Sequence, residues 1–214
     1  MKVVVYVEGK SDVLAMQALL HELIEAKKRD GVLITFHEIA IGDRKKSLLI
    51  RAPKNAVNIL RGNPDDIVAI IPDLYPPGIA FPHRTFDELR DGVMRAFGDA
   101  VREKGLDEEA YIQRFHVFCF KHDLEALVLA AEESLARRLG KTFRDRWSRP
   151  VEDQNHDVPP KYIVRQLYEE CEKYYGTDEA ALVLAGADYE DIAERCPQCF
   201  MPFIEFLTSL RPVA

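Results

Sequence analysis

Four short runs of apolar and β-branched residues lie within the first 120 positions of the chain, and their spacing constrains the fold more than any other feature. The segments between the runs carry apolar residues at helical spacing. Strands separated by helices pair in parallel, and helices cover both faces of such a sheet. The predicted strands are 2–7, 32–39, 66–74 and 114–120. The sequence therefore predicts an α/β fold with a mostly parallel sheet and flanking helices.

Helical patterns lie between the predicted strands and after the last of them. After the first strand, Ser11 or Asp12 can cap a helix that should end before Gly31. The other predicted helices are about 47–61, about 84–104, 123–140, 161–175, 178–186, 188–195 and 198–210. We therefore predict an α/β domain at 1–140 and a small C-terminal helical subdomain at 161–214. Residues 141–160 are polar and rich in proline, which predicts a linker or a functional loop.

The first strand leads into Gly9-Lys10-Ser11, which has the order of a nucleotide-binding P-loop. A P-loop needs another glycine five positions before the Gly-Lys pair, so that backbone N–H groups can surround the phosphates. That position is Val4, inside the apolar run. The sequence therefore argues against a P-loop.

Composition limits the class of protein. The chain has 214 residues, 47% of them hydrophobic, and a formal net charge of −7. This charge argues against broad, nonspecific binding to nucleic acid, although it permits a local basic surface. We expect no membrane span, because no apolar run approaches 18 residues. The N-terminus does not resemble a signal peptide, so the cytoplasm is the expected location.

One local basic surface is predicted between positions 42 and 62. Phosphate backbones of nucleic acids are bound by such groups of cations, although a solvated helix face gives the same pattern. We call the following residues the basic strip: Arg44, Lys45, Lys46, Arg51, Lys54 and Arg61.

The cysteines predict neither a disulfide framework nor a complete zinc site. Cys196 and Cys199 have the spacing of metal ligands, but no second pair of cysteines or histidines completes a set of four. Packing and capping at the start of a helix explain this pair better than zinc does.

Carboxylates follow three of the predicted strands. Glu8 ends the first strand, Asp73 ends the third, and Asp123 and Glu125 follow the fourth, while Asp12 lies four residues after Glu8. The carboxyl ends of parallel strands meet at one edge, where ligands bind. Clustered carboxylates repel each other unless a cation lies between them, and oxygen ligands favour Mg²⁺ or Mn²⁺. Helix capping is the alternative explanation for Asp12 and Asp123.

These residues also carry a resemblance to a known family. VVYVEGKSDVLAMQALL resembles the opening motif of the TOPRIM (topoisomerase–primase) domain, and VAIIPDLY resembles its second motif, normally Asp-x-Asp. FCFKHDLEALVLA, DVPPKYIVRQLYEE and IAERCPQCFMPFIEFLTSL resemble a TOPRIM-like family of uncharacterised bacterial proteins. Such proteins are commonly found beside ATPases in phage-defence or mobile loci. The resemblance runs from residue 3 to about 210 and implies a TOPRIM-like, Rossmann-like fold.

The resemblance implies a role for each acid. Glu8 would bind metal or act as general acid or base, Asp12 would help to hold the first metal, and Asp73 would be the central ligand. In the distantly similar overcoming-lysogenization-defect nucleases a later glutamate and a lysine complete the site, and Glu125 and Lys161 are our candidates for them.

The chain departs from the family pattern at Tyr75, which stands where the second aspartate of Asp-x-Asp is expected. A phenol, with a pKa of about 10, is a poor ligand for Mg²⁺ at neutral pH. A two-metal mechanism is therefore in doubt, unless Asp123 and Glu125 rebuild the second position.

Three functional hypotheses follow. The first is a Mg²⁺-dependent nuclease that hydrolyses phosphodiester bonds of DNA or RNA, in a phage-defence or mobile-element system. The second is a noncatalytic TOPRIM-like binding subunit that acts with an ATPase partner. The third is a nucleotidyl-transfer or small-nucleotide site that uses the same acids. A homodimer is compatible with each of them.

Overall fold

The computed structural model describes residues 1–39, 44–75, 80–143, 146–154 and 157–212, except for the side chain of Arg44. The strands are β1 (Lys2–Val7), β2 (Leu33–Glu38), β3 (Ile67–Ile71) and β4 (Phe115–Val117). The helices are α1 (Lys10–Leu19), α2 (His21–Arg29), α3 (Arg44–Gly62), α4 (Phe86–Glu103), α5 (Glu108–Ile112), α6 (Glu125–Ala130), α7 (Glu132–Leu139), α8 (Pro160–Glu170), α9 (Glu179–Leu184), α10 (Tyr189–Arg195) and α11 (Phe200–Ser209). A short 3₁₀ turn spans Val151–Asp153. Within these ranges, no helix has both the length and the apolar character that a membrane crossing requires.

The four strands form one parallel sheet in the order β2-β1-β3-β4, which confirms the predicted α/β architecture. In the register, Val3 of β1 pairs with Ile34 of β2 on one side and with Ile67 of β3 on the other. The two central strands read as nearly continuous apolar runs because both of their faces are covered. Their carboxyl ends consequently lie at one edge of the sheet.

Side chains of β1 alternate between two hydrophobic clusters on opposite faces of the sheet. Val3, Val5 and Val7 belong to the larger cluster, which also contains buried residues of α1, α2 and the C-terminal helices. Val4 belongs to the smaller cluster, which contains buried residues of α3 and α4. The sheet is thus the middle of three layers, as the period of two along a strand requires.

The C-terminal helices complete one of these layers. Leu184 of α9, Phe203 of α11 and Leu207 of α11 are buried in the same cluster as the first strand. Val151, from the segment predicted to be a linker or loop, belongs to it as well. The division of the chain at residue 140 stays a prediction, and the buried residues on either side of it share one core.

Two predicted helices are each divided in the structure. The segment between β1 and Gly31 breaks at Leu20, and adjacent Leu19 and Leu20 are both buried. Neighbours on one straight helix point about 100° apart, so the break allows both side chains to enter the core. The helix predicted over 123–140 breaks at Ala131, whose φ of −78° and ψ of 45° are not helical. All six residues of α6 are buried, whereas α7 buries one face, so the break redirects the chain from the core to the surface.

A buried carboxylate holds the start of α11. Glu152 is 2% exposed, and its two carboxylate oxygens accept hydrogen bonds from three consecutive backbone N–H groups. The donors are Gln198 at 2.6 Å, Cys199 at 2.8 Å and Phe200 at 3.3 Å. An anion at this position satisfies backbone donors that have no partner within the helix. The charge of Glu152 is therefore part of the fold.

We expect Glu152→Ala to lower the free energy of unfolding by about 3 kcal/mol, because it leaves buried N–H donors without an acceptor. Glu152→Gln keeps the size and one acceptor oxygen, so its loss should be about half as large. Urea unfolding followed by circular dichroism measures both changes. Equal stability of the alanine variant and the wild type would contradict this role.

Candidate metal centre

The predicted acids at the carboxyl ends of β1 and β3 lie together in the structure. Glu8 directly follows β1, and Asp73 comes two residues after β3. The backbone N–H of Asp73 donates to Oε1 of Glu8 over 3.0 Å. Asp73 also forms a parallel bridge with Phe120, which extends the β3–β4 pairing beyond the strands. Residues from three strands thus meet at this edge.

Asp12 caps α1 and faces the same edge. Its Oδ2 accepts from the backbone N–H of Gly9 over 2.9 Å, and its Oδ1 accepts from the hydroxyl of Ser11 over 3.2 Å. Asp12 therefore takes part in capping, as the acid of a capping box, but the N-cap is Gly9 and not the predicted Ser11 or Asp12. This role does not remove Asp12 from the cluster, since its charge still acts on Asp73 and is acted on by Glu125.

The start of α8 brings the candidate lysine to the acids that follow β4. The backbone N–H of Lys161 donates to Oδ2 of Asp123 over 3.2 Å, and its Nζ lies 3.2 Å from Oε1 of Glu125. Glu125 is 6% exposed, so this ion pair is shielded from water on the side of the acid. Oδ1 of Asp123 is buried and has no hydrogen-bond partner within the described ranges. We call Glu8, Asp12, Asp73, Asp123, Glu125 and Lys161 the acidic cluster.

Electrostatics favour the neutral form of three carboxyl groups of the acidic cluster, those of Asp73, Asp123 and Asp12. Burial raises the pKa of Asp73 well above its usual range, and the neighbouring carboxylates raise it further. These neighbours are Glu8, Asp12 and Asp123. Burial, and then Glu125, raise the pKa of Asp123 to about 7. Burial also raises the pKa of Asp12, against the hydrogen bonds from Gly9 and Ser11. A cation bound at the acidic cluster would act in the opposite direction and lower these pKa values.

Two cations partly balance this charge. Burial lowers the pKa of Lys161, but Glu125, Asp123 and Asp73 raise it by more, so the ammonium group stays charged. Lys45 lowers the pKa of Asp73, and its Nζ donates to the carbonyl of Leu74 over 3.5 Å. The sequence predicted Lys45 as part of the basic strip, and the structure also places it beside the central acid.

The basic strip extends along α3 away from the acidic cluster. Lys46, Arg51, Lys54 and Arg61 are exposed, and Lys54 lies 4.0 Å from Glu103. At 1.5 Å per residue, Arg61 is roughly 24 Å from Lys45 along the helix axis. The side chain of Arg44 lies outside the described residues. Binding of nucleic acid by the strip stays a prediction.

The side chain of Tyr75 makes polar and aromatic contacts with residues outside the acidic cluster. Its hydroxyl donates to the carbonyl of Arg84 over 2.6 Å, and its ring lies 5.8 Å from the ring of His122. The tyrosine that replaces the second aspartate of Asp-x-Asp thus has a hydrogen-bond partner of its own, Arg84. In the described ranges, no three His, Cys, Asp or Glu side chains stand as a ready set of ligands, either here or around Cys196 and Cys199. The predicted Mg²⁺ or Mn²⁺ ion stays a prediction.

Sequence reasoning missed one residue of this region. Burial, and then the carboxylate of Glu125, raise the pKa of Tyr175, which follows α8 and is only partly exposed. No motif marks this tyrosine, because it reaches the cluster through the packing of the C-terminal helices.

A comparison with protein-family models assigns the chain. The model of the family described as "Domain of unknown function (DUF4276)" matches residues 7–208. The chain belongs to the DUF4276 family. The match includes every member of the acidic cluster and the whole basic strip. No curated protein matches this DUF4276 member.

Among solved structures, the chain is similar to three of the C-terminal region of the OLD protein from Xanthomonas campestris pv. campestris, phased with iodine, mercury and platinum. Each is 16% identical to this DUF4276 member and covers 96% of it. The TM-scores are 0.43, 0.41 and 0.41, and the matches cover 95%, 96% and 93% of the OLD chains.

Proposed function

We propose that this DUF4276 protein is a Mg²⁺- or Mn²⁺-dependent phosphodiesterase of the TOPRIM type that cleaves DNA or RNA. The observation that carries the proposal is the environment of Asp73. Its carboxyl group lies beside three other carboxylates, and burial first, then their charges, raise its pKa well above the usual range. Protonation relieves this repulsion, and so does a hard divalent cation that binds between the carboxylates.

The residues of the acidic cluster divide into roles. Asp73, Asp12 and Asp123 would hold the ion, and Glu8 would take a proton from water or give one to the leaving group. When bound, the ion would stabilise charge on the phosphate that is attacked. Lys161 fixes Glu125 by its ion pair and Asp123 by its backbone N–H. Lys45, next to Asp73, would contact a phosphate oxygen of the substrate.

The basic strip supports nucleic acid as the substrate. Four exposed cations follow one helix that starts next to the acidic cluster, so a strand bound at the cluster could continue along α3. Each phosphate contact releases counterions, so binding should weaken as salt increases. A cytoplasmic protein with an ATPase partner, acting in phage defence, is the biological setting that the motifs imply.

One observation favours a second candidate function, a noncatalytic nucleic-acid-binding subunit. Tyr75 stands at the position of the second aspartate, so this position carries no carboxylate, and its hydroxyl donates to the carbonyl of Arg84. Such a protein would keep the basic strip and the fold but would not bind a divalent ion.

Calorimetric titration with Mn²⁺ and Mg²⁺ tests the proposal. We expect the wild type to bind either ion at millimolar concentration, and Asp73→Asn to abolish binding. The heat should depend on the buffer, since Asp123, with a pKa of about 7, releases its proton when an ion binds.

The matched control is Asp65→Asn. Asp65 lies before β3, at the opposite end of the strand from Asp73, and is exposed. This variant should bind ions as the wild type does. If the wild type binds neither ion, the phosphodiesterase proposal fails and the noncatalytic function is favoured.

A further inference from the structure

Two cysteines that are 80 residues apart in the chain meet at the edge of the sheet. The thiol of Cys119, which follows β4, donates a hydrogen bond to Sγ of Cys199 over 3.5 Å. Cys199 directly precedes α11. Both are free thiols. A disulfide has an S–S length of about 2.05 Å, so the two sulfurs are already close to bonding distance.

The backbone around both thiols is held by polar contacts. The carboxylate of Glu152 accepts from the N–H groups of Gln198 and Cys199 and fixes the turn before α11. Nζ of Lys121, two residues after Cys119, lies 2.6 Å from Oδ1 of Asp153 and 2.6 Å from Oε1 of Gln198. The approach of the two sulfurs is therefore a property of the fold around them.

A cavity gives a small molecule access to the pair. It has a volume of about 380 Å³ and is lined by both cysteines and mainly by apolar side chains. Cys119 is 2% exposed, whereas Cys199 is partly exposed. A reagent that enters the cavity therefore meets Cys199 first, with Cys119 directly behind it.

We propose that Cys199 and Cys119 form an oxidation site that reacts with hydroperoxides to give an intramolecular disulfide. Sγ of Cys199, as thiolate, attacks the terminal oxygen of the hydroperoxide. The O–O bond breaks, and the alkoxide takes up a proton and leaves as an alcohol, or as water when the reagent is hydrogen peroxide. The sulfenic acid on Cys199 is then attacked by Sγ of Cys119. The S–S bond forms, the S–O bond breaks, and the oxygen leaves as water with the proton of Cys119.

The first step suits Cys199 better than Cys119. The hydrogen bond to Cys199 and burial raise the pKa of Cys119, and the carboxylate of Glu152 adds to this effect. The less exposed Cys119 is therefore suited to the second step, as the thiol that attacks the sulfenic acid. The disulfide would join the segment that leads from β4 to Asp123 onto the start of α11, and Phe120 in that segment pairs with Asp73. The site itself does not depend on the proposed phosphodiesterase activity.

Peptide mapping tests the proposal on the full chain. Reduced protein is treated with hydrogen peroxide, the remaining thiols are alkylated, and trypsin is added. Cleavage after Arg114 and Lys121 places Cys119 in peptide 115–121, and cleavage after Arg195 places Cys199 in peptide 196–214. We expect these two peptides to be joined as the main oxidised form and to separate after reduction.

The matched control is Cys196→Ser. Cys196 is buried in the folded protein, and it lies in the same tryptic peptide as Cys199. This variant should still form the joined peptides, whereas Cys199→Ser and Cys119→Ser should not, with circular dichroism verifying that each variant is folded. A disulfide that closes a loop of this length should raise the thermal midpoint of the wild type by roughly 5 °C or more, reversibly with dithiothreitol.

Two outcomes would overturn the proposal. In the first, peptide 115–121 remains fully alkylated after peroxide treatment of folded wild type. In the second, the disulfide forms within peptide 196–214, between Cys196 and Cys199.

Discussion

Asp73→Asn is expected to reduce Mn²⁺-dependent cleavage of nucleic acid by at least about 10³-fold. A divalent ion contributes several kcal/mol to the stabilisation of a phosphodiester transition state, and about 4 kcal/mol corresponds to this factor. Asparagine keeps the shape of the side chain and the backbone N–H that donates to Glu8, so the loss would report on charge. Initial rates on labelled DNA and RNA oligonucleotides, at a fixed salt concentration, measure the effect.

Asp65→Asn, purified in the same way, is the control for this experiment and for contaminating nucleases. It removes one carboxylate near the opposite end of the same strand and should leave the rate unchanged. A cleavage rate of Asp73→Asn above about a tenth of the wild-type rate would show that the ion, if bound, has another central ligand. Loss of cleavage in both variants would instead indicate damage to the fold.

Asp123→Asn is expected to stabilise the ion-free protein at neutral pH. Burial and Glu125 raise the pKa of Asp123 from 3.8 to about 7, so between these values the folded state keeps a proton that the unfolded state has lost. Stability therefore falls as the pH rises through this range. Removing the ionisable group should raise the free energy of unfolding by about 2–4 kcal/mol at pH 7, and by little at pH 4.

With divalent ions present, we expect the wild type to become more stable than Asp123→Asn at neutral pH. An ion that binds only the folded state stabilises it, and the wild type should gain more from Mn²⁺ than Asp123→Asn does. Urea unfolding at pH 4, 5.5, 7 and 8, with and without Mn²⁺, measures both effects. Parallel pH profiles of the two proteins would contradict a raised pKa for Asp123, and Asp65→Asn should follow the wild type throughout.

The sequence was sufficient to predict the α/β architecture and the positions of the acids at the ends of the strands. Apolar runs separated by helical patterns determine a parallel sheet, and parallel strands must end at one edge. Glu8 and Asp73 are consequently neighbours despite a separation of 65 residues. Asp12 could be predicted as a cap and as a cluster member, and both interpretations are consistent with its contacts.

Other features depend on packing that no local pattern encodes. The helix breaks at Leu20 and Ala131 occur within sequences that favour helix, because burial of particular side chains outweighs local preference. The short helix α5 was missed for a similar reason, since it buries no side chain and leaves no apolar pattern. The contact between Cys119 and Cys199, like the approach of Tyr175 to Glu125, arises only when the C-terminal helices dock on the sheet.

That docking has a consequence for synthesis on the ribosome. The larger hydrophobic cluster joins β1 to α11, and the ribosome makes α11 long after β1. Until α8, α9 and α11 emerge, α1, α2 and α6 cover this face of the nascent sheet only in part, and the rest of its apolar surface remains open to other chains. Folding of the acidic cluster must wait as well, because Lys161 is supplied by the same late segment. Assembly of the acidic cluster is therefore coupled to synthesis and docking of α8.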